Sequence, residues 1–197
     1  MNNNILQLRP QKVWQYFNEI CKIPRPSGKE EKISKYIIEL SEKHGLKALK
    51  DKTGNILVKK EAPKGKENSP IVILQSHLDM ICEKNLDTNH NFLQDPITPY
   101  IEGEWVKAKG TTLGADDGIG IAAMLAILTD TNIQHGPLEC LFTIDEETGL
   151  TGALGLEPDF LQGRILLNLD SEDEGQLFIG CAGGKDTIAE MTVNFLE

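Results

Sequence analysis

Ile71-Val72-Ile73-Leu74-Gln75-Ser76-His77-Leu78-Asp79 is the stretch that decides the fold. It starts as an unbroken apolar run, the pattern of a strand covered on both faces. It then turns to an imidazole and a carboxylate. Apolar strands that finish in ionisable groups point to an open α/β sheet, in which ligands gather beyond the carboxyl ends of the strands. Leu138 to Ile144 likewise runs into Asp145-Glu146-Glu147, and Ile165 to Leu169 into Asp170. Gly114-Ala115-Asp116-Asp117-Gly118 opens an apolar helix over Gly118 to Leu128, whose N-terminal dipole favours an anion at Asp116.

The rest of the chain alternates in the same way. Val13, Tyr16, Phe17 and Ile20 form a helical stripe between Pro10 and Cys21. Ser27-x-x-Glu30 has the form of a capping box opening a second helix, with Ile33, Tyr36, Ile37 and Leu40 on one face and a stop at Gly45. Leu46 to Lys50 and Asn55 to Lys60 read as a hairpin about Thr53-Gly54, and Ile101 to Val106 as a tighter one about Glu102-Gly103. A short helix is expected near Thr151 to Leu156, and further strands at Leu177 to Ile179 and Ala189 to Phe195. The fold class that follows is α/β, a mixed β-sheet sandwiched by helices.

Composition narrows the function. The 197 residues are 40% hydrophobic and 25% charged, which suits a globular domain. A net charge of −10 without a basic stripe argues against nucleic acid or an anionic membrane as partner. No apolar run is long enough to span a membrane, and the Asn-rich start does not read as a signal peptide. Cys21, Cys82, Cys140 and Cys181 are scattered without a CxxC, so they read as reduced, ordinary apolar residues of a cytoplasmic protein.

Taken singly, each acid above reads best as a solvated loop carboxylate or a helix cap, and His77 as a satisfied histidine. Taken jointly, four strand-end or helix-start patches whose ionisable residues are His, Asp and Glu read as the wall of a metal site. One imidazole among carboxylates suits Zn²⁺, Mn²⁺ or Co²⁺ better than Ca²⁺ or Mg²⁺. Two other motifs fail on inspection. Asp87 to Thr98 starts like a calcium loop but has Phe92 for the turn glycine and Thr98 for the bidentate glutamate. Gly118-Ile119-Gly120 lacks a preceding strand, and Asp116 and Asp117 would repel a pyrophosphate.

His77-x-Asp79, Gly114-Ala115-Asp116-Asp117, Asp145-Glu146-Glu147 and Asp170 resemble the motifs of the co-catalytic zinc peptidases related to carboxypeptidase. Gln75 to Met80, Gln94 to Tyr100, Gly103-Glu104-Trp105 and Gly110 to Asp116 narrow the resemblance to the aminoacyl-histidine dipeptidases. Tripeptidases of the peptidase T type share the acidic cores but less of the segment from Gln94 to Trp105.

The resemblance implies a metallo-dipeptidase that cleaves Xaa-His, carnosine-like dipeptides with two zinc ions, or manganese or cobalt in their place. It implies that Asp116 bridges both metals, that His77 and Asp170 ligate one, and that Glu147 ligates the other. Glu146 becomes the general base, and Asp79 holds the far nitrogen of His77. It also implies a cis peptide bond between Asp116 and Asp117. A homodimer is left open for a full-length relative.

In such enzymes a further histidine ligand lies far toward the C-terminus, after an inserted lid domain. His44, His90 and His135 are the other histidines here, and none follows an apolar strand. The expectation is therefore that residues 1–185 form the N-terminal part of the catalytic domain and 186–197 begin the connection to a lid, and that the 197 residues alone form an incomplete enzyme. The alternatives are a non-catalytic relative that keeps the fold and binds metal weakly or assembles with a partner, and a tripeptidase.

Overall fold

Apolar runs with few polar breaks need cover on both faces, and the sheet supplies it. The chain is described by a computed structural model that covers residues 4–171, 173, 175–180, 183 and 187–192. Strands β1 (Lys47–Lys50), β2 (Ile56–Lys60), β3 (Val72–His77), β6 (Leu138–Thr143) and β7 (Ile165–Asn168) form one sheet in the order β1-β2-β6-β3-β7. β4 (Pro99–Glu102) and β5 (Trp105–Ala108) make a separate hairpin. β1 and β2 pair antiparallel, as do β2 and β6, whereas β3 runs parallel to both β6 and β7. The carboxyl ends of β3, β6 and β7 therefore share one edge.

Alternation along the strands divides the core. Ile56, Val58, Leu74, Cys140 and Phe142 face helices α1 (Gln11–Ile20), α2 (Glu31–Lys43) and α3 (Ala115–Thr129). Leu57, Ile73 and Leu141 face the opposite way, against Leu156, Phe160 and Leu161, which follow the short helix α4 (Thr151–Leu154). α1 earns its place through Phe17 and Ile20, both essentially inaccessible, and α2 through Ile33 and Ile37. Every residue of β6 is buried. Its one charge, Glu139, is 2% exposed, pairs with Lys59 at 2.9 Å and accepts from the Gln162 and Gly163 backbone N–H groups. A buried carboxylate needs such partners.

Several expectations need correction. β3 extends through Gln75 and Ser76, so His77 is its last residue rather than a loop residue. The capping box does not form: α2 starts without a side-chain cap, because Ser27 and Glu30 bond elsewhere. β7 is an exposed edge, with Ile165, Leu166 and Leu167 at 46, 50 and 45%. Among the described residues only β3 pairs with it. Leu177 to Ile179 forms no strand and is exposed, since apolar character without a pairing partner does not make a strand. Residues 189–192 carry no strand either, and Val193 to Phe195 lie outside the described residues, as does Cys181.

Candidate metal centre

Parallel pairing of β3 with β6 and β7 sets the centre. His77 ends β3, Asp145 to Glu147 follow β6, and Asp170 lies two residues past the end of β7. The start of α3 brings Asp116 to His77, and regular helical geometry begins only after Asp116 and Asp117. The peptide bond between those two is cis, as the resemblance implies.

The imidazole of His77 is 1% exposed and stands among carboxylates. Its Nδ1 lies 3.3 Å from Asp79 Oδ1, its Nε2 2.8 Å from Asp116 Oδ1 and 3.9 Å from Asp170 Oδ2. Ligand atoms of His77, Asp116 and Asp170 all lie within 4.8 Å of one another, and those of His77, Glu146 and Glu147 do the same. The centre thus gathers the six residues to which the resemblance gives a role: His77, Asp79, Asp116, Glu146, Glu147 and Asp170. His44, His90 and His135 join no such cluster among the described residues. His44 caps the end of α2, His90 meets Phe92 edge-on, and His135 Nδ1 lies 2.7 Å from the Gly136 carbonyl oxygen.

Asp79 does more than face His77. It is fully buried and accepts from the Ser27 hydroxyl at 2.7 Å and from the Glu146 and Glu147 backbone N–H groups at 3.0 and 3.2 Å. One carboxylate therefore fixes both the imidazole and the loop carrying two glutamates. Burial alone would raise Asp79, but His77 and these donors hold it well below the usual carboxylate range. Burial would lower His77, yet the hydrogen bonds to Asp79 and Asp116, with the Asp117 charge, push it up to about 9. Glu146 and Glu147 are raised, first by burial and then by surrounding acids, Asp170 for Glu146 and Asp116 for Glu147. Asp117 points away into the interior, where burial pushes it up to about 6.

This electrostatic pattern fits a cation site. Five carboxylates surround one imidazole, and burial first, then the neighbouring acids, raises the two glutamates. A further trio, Glu30, Asp79 and Asp145, also falls within 4.8 Å. It is a hydrogen-bonded knot, since each carboxylate accepts from backbone or hydroxyl donors: Glu30 from Gly28 and Asp145, and Asp145 from Thr148 and Thr151.

No protein-family model matches the chain. The chain is 53% identical over 184 residues to the cytosol non-specific dipeptidase of Escherichia coli K12, covering 93% of this chain and 38% of that protein. It superposes on the crystal structure of aminoacylhistidine dipeptidase from Vibrio alginolyticus with a TM-score of 0.87 and 55% identity, over 88% of this chain and 36% of that one. Over most of its own length the chain is similar to dipeptidases. It spans less than two fifths of the length of either relative. Peptidase T of Escherichia coli O1:K1 is 41% identical over only 70 residues, 34% of this chain and 17% of that protein. The mixed α/β sheet is thus the fold of the dipeptidase relative.

Reading the sequence missed Arg25, Ser27 and Glu30, which bond directly to the loops of the centre. The one available signal was Arg25 between Pro24 and Pro26, a long cation in a turn that cannot continue a helix. Ser27 and Glu30 carried a signal for another role, the helix cap.

Proposed function

We propose that the centre holds two divalent cations, zinc, manganese or cobalt, and serves a dipeptidase whose substrates include Xaa-His dipeptides. The observation carrying this reading is the buried His77 ring between Asp79 and Asp116, with Asp170, Glu146 and Glu147 within reach, at the shared edge of β3, β6 and β7. Support comes also from the 53% identity to a dipeptidase over nearly the whole chain, against a 70-residue likeness to peptidase T.

In this reading His77, Asp116, Glu147 and Asp170 would hold the cations. Bound there, the cations would supply Lewis acidity for the scissile carbonyl and lower the pKa of the attacking water. The chain's own residues do the rest. Glu146, raised by burial and neighbouring acids, takes the proton from the attacking water and delivers it to the leaving amine. Asp79 fixes the His77 ring, so that Nε2 faces the centre. Because Asp79 also accepts from the Glu146 and Glu147 N–H groups, the base and a ligand keep a fixed relation to the imidazole.

The test is release of amino acids from alanyl-histidine and unrelated dipeptides after chelation and readdition of zinc, manganese or cobalt. Turnover should require metal, and Glu146→Gln should lose at least about 10²-fold while metal content is unchanged. Metal-independent turnover, or a fully active Glu146→Gln, contradicts the reading.

A further inference from the structure

The loop between α1 and α2 reaches the segments that carry His77, Asp116 and Glu146. Arg25 is 3% exposed. Its Nη1 donates to the Leu78 and Asp79 carbonyls at 3.0 and 2.5 Å, and its Nη2 donates to the Gly114 carbonyl. A planar guanidinium thus ties the end of β3 to the start of α3, using main-chain acceptors. The Met80 N–H returns a bond to the Arg25 carbonyl at 3.2 Å. Ser27 Oγ donates to Asp79 Oδ2 at 2.7 Å. Glu30 is 5% exposed, and its Oε1 accepts from the N–H groups of Gly28 at 2.8 Å and Asp145 at 3.1 Å.

Two features set this loop apart from ordinary packing. Ser27 and Glu30 forgo the helix cap their spacing suits, and α2 is left without a side-chain cap. Space has also been cleared for the guanidinium. A Cβ on Gly114 or Gly118 would stand 2.7 or 2.6 Å from Arg25 Nη2.

The consequence falls on three consecutive amides. Asp145 N–H points at Glu30, Glu146 N–H at Asp79 Oδ1, and Glu147 N–H at Asp79 Oδ2. Asp145 sits at φ 51°, in the left-handed region, so the segment needs outside support to keep its direction. Two carboxylates provide that support, and the α1–α2 loop supplies one and secures the other through Ser27.

We propose that Arg25, Ser27 and Glu30 are positioning residues: Glu30 aims the Asp145–Glu147 segment at the centre, and Arg25 sets the His77 end of β3 against the Asp116 end of α3. The proposal rests on the metal-centre reading above. Its working part is the acceptor oxygen of Glu30, not its charge.

Two conservative variants separate these. Glu30→Gln keeps a carbonyl oxygen where Oε1 stands. Glu30→Asp keeps the charge but retracts it by about 1.5 Å, one carbon–carbon bond. Backbone amide exchange is measured on the metal-free 197-residue chain, then Co²⁺ affinity by calorimetry and visible absorption. Glu30→Asp should speed exchange at Asp145 and Glu146 by about tenfold or more and weaken Co²⁺ about 10–100-fold, with Glu30→Gln near wild type in both. Arg25→Lys, which cannot span three carbonyls, should weaken Co²⁺ similarly. The proposal is overturned if Glu30→Asp matches wild type, if Gln is the damaged variant, or if faster exchange spreads evenly through β2 and α3. A wild-type chain that binds no Co²⁺ removes the metal reading instead, and the exchange pattern by itself then decides the positioning one.

Discussion

Asp79→Ala removes one carboxylate with four partners, and its effect on stability can be worked out. Asp79 is fully buried, accepts from Ser27 and from the Glu146 and Glu147 N–H groups, and faces His77 Nδ1. Hydrogen bonds to a charged group contribute about 1.5–3 kcal/mol each, so the gross loss is on the order of 6–12 kcal/mol. That figure overshoots, because alanine also relieves the desolvation of a buried charge. Breaking a buried charged network by removing one partner leaves about 3–5 kcal/mol of net destabilisation. With a urea m value of about 2 kcal/mol/M, the unfolding midpoint of the metal-free chain at pH 7 should fall by about 2 M. Asp79→Asn keeps one acceptor oxygen and should fall by less. An Asp79→Ala midpoint equal to wild type would refute the claim that this carboxylate ties the imidazole to the glutamate loop.

Further outcomes follow from the same geometry. His77 is raised to about 9 in the folded metal-free chain, above its usual 6.5, so its contribution is complete below about pH 6.5 and is lost as pH rises through about 9. The size is about 3 kcal/mol, and urea midpoints that stay level or rise over that interval contradict it. Gly114→Ala places a Cβ at φ 68° within 2.7 Å of both Arg25 Nη2 and Met80 Sδ, and should destabilise by about 2–4 kcal/mol in thermal unfolding. A Gly114→Ala midpoint within a degree or so of wild type would mean that the guanidinium does not need this space. Asn55 is fully buried and bonds to Asp51, the Gly152 carbonyl and the Ile144 N–H. Asn55→Ala should therefore destabilise by about 2–3 kcal/mol, measured the same way.

What the sequence discloses is the part governed by local pattern. Unbroken apolar runs at Ile71 to Leu74 and Leu138 to Ile144 become adjacent parallel strands, because only a sheet covered on both faces buries such runs. Parallel pairing then brings His77, Glu146, Glu147 and Asp170 to one edge, so the candidate centre was legible as strand-end acids. The α1–α2 loop was not. Ser27-x-x-Glu30 is equally suited to a helix cap and to distant partners, and local spacing cannot distinguish a bond three residues away from Glu30's bond to Asp145, 115 residues away. Arg25 reads as a surface cation because nothing beside it in sequence shows that three carbonyls would converge on it. Leu177 to Ile179 has strand composition without a strand, since pairing is a property of the partner as much as of the segment.

Crystals of the chain grown with zinc and measured on both sides of the zinc absorption edge test the central claim most directly. The account predicts anomalous peaks about 2 Å from the Asp116 carboxylate, one also beside His77 Nε2 and Asp170 and the other beside Glu147. Peaks elsewhere on the molecule with none at this edge of the sheet, or no peak under saturating zinc, would contradict it.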